Sequence, residues 1–250
     1  MIMFPMSKTL LDRIIIVLCR PEGSLNIGAV CRAMENMGIS HLSLVGDLKA
    51  VDHEKVRMMA IHSYWIYENA GHFETLPEAL SNAVIASGIT RRLGKNRKHI
   101  SRLPEELASF ASDTAEGDIA LVFGNEKSGL NDEELAFCTE ACHIPSHPDN
   151  PSLNLSHAVQ ILTYSFYRET MQNNTGRYSP VPIATIETLA DTVESTLKDS
   201  GYYDKPDRFK TRQFFRDIFA RASLSKKEAD HMEKVFQKLR SLAKSNREKQ

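Results

Sequence analysis

Between Arg13 and about Phe166 the chain alternates short apolar runs with stretches of helical period, and this alternation restricts the fold more than any other feature. Residues 14–19 (IIIVLC), 41–46 (HLSLVG), 84–88 (VIASG) and 119–124 (IALVFG) read as buried strands, with a fifth, short one at 143–146. Between them, 26–38, 51–69, 76–83, 103–113, 132–141 and 152–169 carry helical spacing. Continuous apolar strands, each followed by a helix, predict an α/β domain on a mostly parallel sheet. The stretch 171–182 is polar, holds Gly176 and two prolines, and has no period, so it reads as a linker. Beyond it, 183–199, 205–222 and 225–245 read as helices, and no strand pattern occurs. The predicted organisation is an α/β domain over 1–170, a linker over 171–182 and an all-helical unit over 183–250.

Charge is distributed unevenly. Residues 205–250 hold 14 Lys and Arg against 6 Asp and Glu, a net of +8, while the whole chain nets −1. A basic end on an acidic body points to a polyanionic partner. The apolar run after Arg13 is six residues long, too short to cross a bilayer, so no membrane association is expected. Cys19, Cys31, Cys138 and Cys142 lack the spacing of a disulfide framework, which fits a reducing, cytoplasmic setting.

In an open α/β sheet, ligands gather where strands end and helices begin. Three such junctions stand out. In the first, RPEGSLNIGAVCRAMENMG, Asn26 is placed to cap the helix. At about 100° per residue, Arg32 falls far from the centre of the apolar stripe formed by Ala29, Val30, Ala33, Met34 and Met37, so it is not a core residue. In the second, LVFGNEKSGLNDEEL, Asn131 and Glu134 form a capping box, which leaves Gly124 to Gly129 unexplained. Glycine there lets something lie against bare backbone, and Glu126 either holds the turn together or meets a ligand. In the third, HIPSHPDNPSLNLSHAVQ, three prolines stiffen a loop that enters a helix at Ser152, with Asn154 on the same end.

Two further stretches hold residues of candidate chemistry. Cys138, Cys142, His143 and His147 make a C-x3-C-H-x3-H cluster, but its context is not that of a zinc site, and no metal is expected. The run RRLGKNRKHISR (91–102) places six Lys and Arg beside the strand 84–88, a composition suited to phosphate-backbone contact. No G-x-G-x-x-G and no Walker loop occurs, which removes support for NAD, FAD or P-loop chemistry.

Taken together, the three junctions resemble the motifs of the SPOUT superfamily of knotted, S-adenosylmethionine-dependent RNA methyltransferases. N-x-G-A-x-x-R-A-M-x-N-M-G resembles its first motif, L-V-F-G-x-E-x-x-G-L-x-x-E its second and S-L-N-L-S-x-A-V-Q its third. The helical unit, with E-x-T-L-x-x-S-G and R-x-F-F-R-x-I-F-A-R-A, resembles the C-terminal extension of TrmJ-type tRNA 2′-O-methyltransferases.

The resemblance implies a deep trefoil knot in the α/β domain, with S-adenosylmethionine bound bent inside it and S-adenosylhomocysteine as product. It implies a homodimer whose partner completes each site, and tRNA as substrate, at cytidine or uridine 32 of the anticodon loop. Methylation of ribosomal RNA, or RNA binding without catalysis, are the alternatives. The cofactor cradle carried over is Ser87, Gly88, Ile89, Gly124, Ile144, Pro151, Ser152 and Leu153, with Gly124 letting the cofactor lie against backbone and Glu126 bracing the turn. Arg32, Ser152 and Asn154 take the catalytic positions. Asn26, Arg92, Arg208, Arg212 and Arg216 are the expected substrate contacts; the last three recur every fourth residue on one helix face. Phe215, Ile218, Phe219 and Ala222 form another face, expected to pack.

Overall fold

The computed structural model describes residues 8–91, 101–114, 116–171, 179–203 and 208–247. Arg92 and most of the basic run therefore lie outside the described residues, as do 172–178 of the linker and the side chain of Arg208.

Strands β1 (Ile14–Cys19), β2 (His41–Val45), β3 (Gly71–Phe73), β4 (Ala83–Ile89), β5 (Ser101–Arg102), β6 (Asp118–Phe123) and β7 (Glu140–Cys142) form one sheet in the order β3-β2-β1-β6-β4-β7-β5. Every pairing is parallel. The helices between them are α1 (Ser24–Asn36), α2 (His53–Ala60), α3 (Tyr64–Glu68), α4 (Leu76–Leu80), α5 (Pro104–Ser112), α6 (Asp132–Phe137) and α7 (Leu155–Thr170). They cover both faces, which is why the central strands are apolar throughout rather than alternating. One face packs Ile14, Ile16 and Leu18 with α1, α5 and α7; the other packs Val17, Ala120 and Val122 with α4 and α6. The chain leaves β6, passes over to β7 beyond β4, and returns through α7 to pack on α1, an order consistent with the implied knot.

The strand expected at 143–146 forms three residues earlier, and the helix expected over 132–141 stops at Phe137. Thr139 is the reason. Its N–H and hydroxyl both donate to the Ala86 carbonyl (2.8 and 2.9 Å), and its Oγ1 accepts from the Ala86 N–H (3.0 Å). That clasp pulls the chain into the sheet before another helical turn forms. Cys138 and Cys142 consequently do not share a helix face. All four cysteines are buried and none is in a disulfide, and burial pushes the Cys31 and Cys142 thiols up to about 12. Among the described residues no three His, Cys, Asp or Glu side chains converge as metal ligands. None of the described helices is long and apolar enough to cross a membrane.

Helices α8 (Ile183–Ser200), α9 (Arg208–Ala222) and α10 (Lys226–Arg247) build a second core from Ile186, Leu189, Val193 and Phe219. Phe215 and Ile218 pack against it as expected, whereas Ala222 is exposed and Ala220 fills the inward position. Residues 179–182 are structured: Pro180 bridges Ser225, and the Val181 N–H donates to Leu224 O (2.8 Å). Ile183 packs into the core beneath α4 and α6, joining the helical unit to the α/β unit.

Candidate active site

The second and third junctions converge on one cleft, with the exit of β4 as its third wall; no residue of the first junction lines it. The exit of β4 (Ile89, Thr90 and Arg91), the loop after β6 (Gly124 to Leu130) and the loop before α7 (Ile144 and Pro151 to Leu153) line one cleft, closed below by Phe123, Leu155 and Ala158. Of the expected cradle, Ile89, Gly124, Ile144, Pro151, Ser152 and Leu153 line it. Ser87 and Gly88 do not. Ser87 is fully buried one step back along β4, its hydroxyl without a partner among the described residues, and a side chain at Gly88 would point into Leu135 and Cys138.

Gly124 also has a task within its own loop. A Cβ there would sit 2.1 Å from the carbonyl carbon of Gly129 and the nitrogen of Leu130. The backbone that approaches so closely is the returning limb of the same loop, not a ligand. Gly129 closes that limb in the left-handed region at φ +68°, donating its N–H to Asn125 O at 2.7 Å. Asn125, which sequence reasoning passed over, organises the loop. Its Oδ1 accepts from the Lys127 and Ser128 amides, and its Nδ2 donates to Arg20 O and Glu22 Oε1.

Helix α1 begins at Ser24 with Gly23 at its cap, so Asn26 lies inside the first turn and is not the cap. The physical reason is distant in sequence. Glu126 accepts from the backbone N–H groups of Glu22 (3.1 Å) and Gly23 (2.9 Å) and from Asn26 Nδ2, a residue 100 positions away (3.1 Å). A carboxylate delivered by another loop thus serves the N-terminus of α1, where free N–H groups and the helix dipole favour negative charge. Burial raises the Glu126 pKa, but these donors together outweigh it and hold the carboxyl below its ordinary value.

Asn154, not Ser152, caps α7: its Oδ1 accepts from Ser156 N (2.9 Å) and Ser156 Oγ (2.8 Å). Two good cap residues stand close together in SLNLS, and the helix starts at Leu155, directly after the second of them. The Asn154 amide also donates to Asn26 Oδ1 at 3.0 Å, so all three motifs meet in one chain of bonds from Asn154 through Asn26 to Glu126.

Glu126→Gln is expected to cost about 2 kcal/mol, since one charge-assisted acceptor becomes an N–H facing an N–H. Urea midpoints at neutral pH measure this. The wild-type carboxylate has a depressed folded pKa, so its contribution is complete above the ordinary carboxylate range and is lost as pH falls through the folded value. The variant lacks that loss, and the gap between the two proteins narrows in acid.

Arg32 stands apart from this cleft. It is exposed on α1, is not among the residues lining the cleft, and makes no hydrogen bond or ion pair among the described residues. Two other expected cations are committed elsewhere. Arg216 is 2 % exposed, and Arg212 pairs with Glu187 (2.9 Å) and Asp191 (2.7 Å). Their fourfold spacing therefore marks the face of α9 that meets α8 and the α/β unit, which corrects the expectation that it meets substrate. Arg91, the first residue of the basic run 91–102, lines the cleft, and Arg92 lies outside the described residues. A spacing rule cannot separate a guanidinium that pairs inward from one that points to solvent.

The sequence profile of the SpoU rRNA methylase family matches residues 13–164. The tRNA (cytidine/uridine/adenosine-2′-O-)-methyltransferase TrmJ of Pseudomonas aeruginosa is 33% identical over 257 aligned positions, covering 94% of this chain and 96% of that protein. The tRNA (cytidine/uridine-2′-O-)-methyltransferase TrmJ of Pectobacterium atrosepticum is 31% identical, covering 85% and 90%. Among solved structures, TrmJ from Z. mobilis ZM4 superposes with a TM-score of 0.74 at 25% identity, covering 90% of this chain and 97% of that one. With a profile matching residues 13–164 and a relative aligned almost from end to end, the chain belongs to the SpoU rRNA methylase family of methyltransferases.

Proposed function

We propose that the protein transfers a methyl group from S-adenosylmethionine to a ribose 2′-hydroxyl of tRNA, at cytidine or uridine 32 of the anticodon loop. The observation that carries this reading is the single cleft formed by three loops that are far apart in sequence. Its walls suit the cofactor: Ile89, Phe123, Leu130 and Ile144 give apolar faces for a flat base, and loop backbone around Gly124 and Gly129 offers polar edges. When bound, S-adenosylmethionine supplies an electrophilic methyl on a good leaving group. The chain's own residues then need only orient the 2′-hydroxyl and stabilise charge as it develops on oxygen.

Arg32 is assigned to that second task. A guanidinium does not deprotonate in proteins, so Arg32 binds phosphate and the developing alkoxide while the proton leaves to phosphate or water. Ser152, which lines the cleft, and Asn154, exposed two residues further on at the cap of α7, orient the ribose.

A homodimer is part of this reading. Arg32 lies outside its own chain's cleft, and the face that carries it is apolar where it should meet solvent: Leu25 on α1 and Tyr164 and Tyr167 on the adjoining α7 are all exposed. A second copy covering this face brings Arg32 to the partner's cleft. Substrate choice follows the TrmJ relatives, which are by name tRNA methyltransferases. The basic helical unit supplies long-range attraction to that polyanion, through exposed lysines of α10 such as Lys227, Lys234 and Lys238.

The test is to incubate total RNA from cells lacking the enzyme with the pure protein and isotopically labelled S-adenosylmethionine, then map the product by mass spectrometry. The expected product is a labelled 2′-O-methyl pyrimidine at tRNA position 32, formed more slowly as salt rises. Label in ribosomal RNA replaces the substrate assignment, and no label in any RNA removes the catalytic one.

A further inference from the structure

We propose that Arg216 is a positioning residue for methyl transfer: from the C-terminal helical unit it fixes the Phe137–Glu140 segment, and through it the strand ends that wall the cleft. The inference rests on the methyl-transfer reading above and extends it to a residue that touches neither cofactor nor RNA.

Arg216 is among the largest fully buried side chains of the molecule, and all three of its nitrogens are engaged. Nη2 donates to Phe137 O at 2.6 Å, Nη1 to Cys138 O at 3.0 Å and Nε to Glu187 Oε1 at 2.8 Å. The two carbonyls belong to the end of α6, where the helix has no donors of its own left to satisfy them. Burying a guanidinium costs several kcal/mol before its partners repay it. Attachment of the helical unit does not rest on it alone, because Ile183 of α8 is buried in the core beneath α4 and α6 and Ser179 Oγ donates to Glu116 O. What Arg216 adds is directional: it holds two particular carbonyls.

The segment it holds is gripped from two other sides. Thr139 is clasped to Ala86 of β4, and Glu140 pairs in register with Ser87 and accepts from Arg102 Nε of β5 at 2.6 Å. From there the path to the cleft is short. β4 ends at Ile89, and β7 runs into Ile144, both cleft walls; the Thr90 N–H donates to Cys142 O at 2.9 Å and ties the two exits together. Releasing the Arg216 contacts frees one of three restraints on the strand that sets the spacing between these walls. Interiors are packed closely enough to transmit such a shift.

The experiment uses the full-length protein with Arg216→Met, Arg216→Lys and, as a docking control, Ile183→Ala. Circular dichroism confirms folding, calorimetry gives S-adenosylhomocysteine affinity, and steady-state assays give kcat and the KM for tRNA. Losing hydrogen bonds from a charged donor corresponds to about a tenfold effect. Arg216→Met is therefore expected to weaken S-adenosylhomocysteine binding about tenfold and to lower kcat by a similar factor, with KM for tRNA nearly unchanged. Arg216→Lys, which keeps the charge but not the fork, falls between. Ile183→Ala lowers stability and leaves S-adenosylhomocysteine affinity intact.

A rise in KM for tRNA with kcat and S-adenosylhomocysteine affinity unchanged overturns the positioning role and leaves Arg216 as docking or RNA-binding only. If Arg216→Met does not fold, Arg216→Lys decides, and wild-type kcat and affinity there overturn the role equally. Wild-type protein that binds no S-adenosylhomocysteine refutes the methyl-transfer reading itself, a separate outcome.

Discussion

Arg32→Ala is expected to abolish methyl transfer while the protein keeps its fold and its affinity for S-adenosylhomocysteine. Arg32 is exposed and has no hydrogen-bond or ion-pair partner among the described residues, so truncation removes nothing that holds α1 in place. Stability should change by less than about 0.5 kcal/mol, the usual range for a surface site. Loss of a group that stabilises developing negative charge costs on the order of 100- to 1,000-fold in rate. Single-turnover transfer of labelled methyl, beside calorimetry with the product nucleoside, separates the two effects. Arg32→Lys should recover little, because a point charge does not reproduce a planar fork against phosphate. If the partner copy supplies Arg32, mixing Arg32→Ala chains with chains defective in the cleft restores part of the activity in mixed dimers. Loss of S-adenosylhomocysteine binding in Arg32→Ala would instead move this residue from the reacting oxygen to the cofactor.

The second large effect is expected at Gly124. An alanine there would place its Cβ 2.1 Å from two backbone atoms and 2.5 Å from the Gly129 oxygen, all in the same loop. A side chain in the way can rotate aside. A backbone cannot, and this one is tied by the Asn125 network and by Leu130, which is buried under the sheet. Gly124→Ala should therefore cost about 3 kcal/mol or more, at the upper end of overpacking substitutions, and should remove cofactor binding as the loop is displaced. Gly129→Ala is the informative contrast. Open space surrounds its Cβ position, and only the left-handed backbone at φ +68° resists it. About 1–2 kcal/mol is expected there, with the cleft retained. Urea denaturation of both variants, with and without S-adenosylhomocysteine, measures the difference. Equal losses would mean that the loop gives way around a Cβ at Gly124.

The amino-acid sequence by itself determined the elements and their order. Apolar runs such as IIIVLC and IALVFG, six residues long, fit strands covered on both faces, and the helical spacing between them fits parallel crossovers. It also marked the three junctions, because glycine, proline and cap residues at strand-to-helix turns are local signals that require no knowledge of neighbours. Only the tertiary structure decided what those residues touch. The N-terminus of α1 is served by Glu126 from another motif, so the local cap signal at Asn26 pointed to the wrong residue. The ending of α6 was set by Thr139 meeting Ala86 across the sheet, a contact with no trace in local periodicity. Arg216 and Arg212 share a face in sequence with the look of a cationic surface, yet Glu187 and two helix-end carbonyls turn that face inward. Local preference is a property of a few neighbouring residues, whereas a buried charge or a close backbone crossing depends on partners that only folding brings within 3 Å or so of each other.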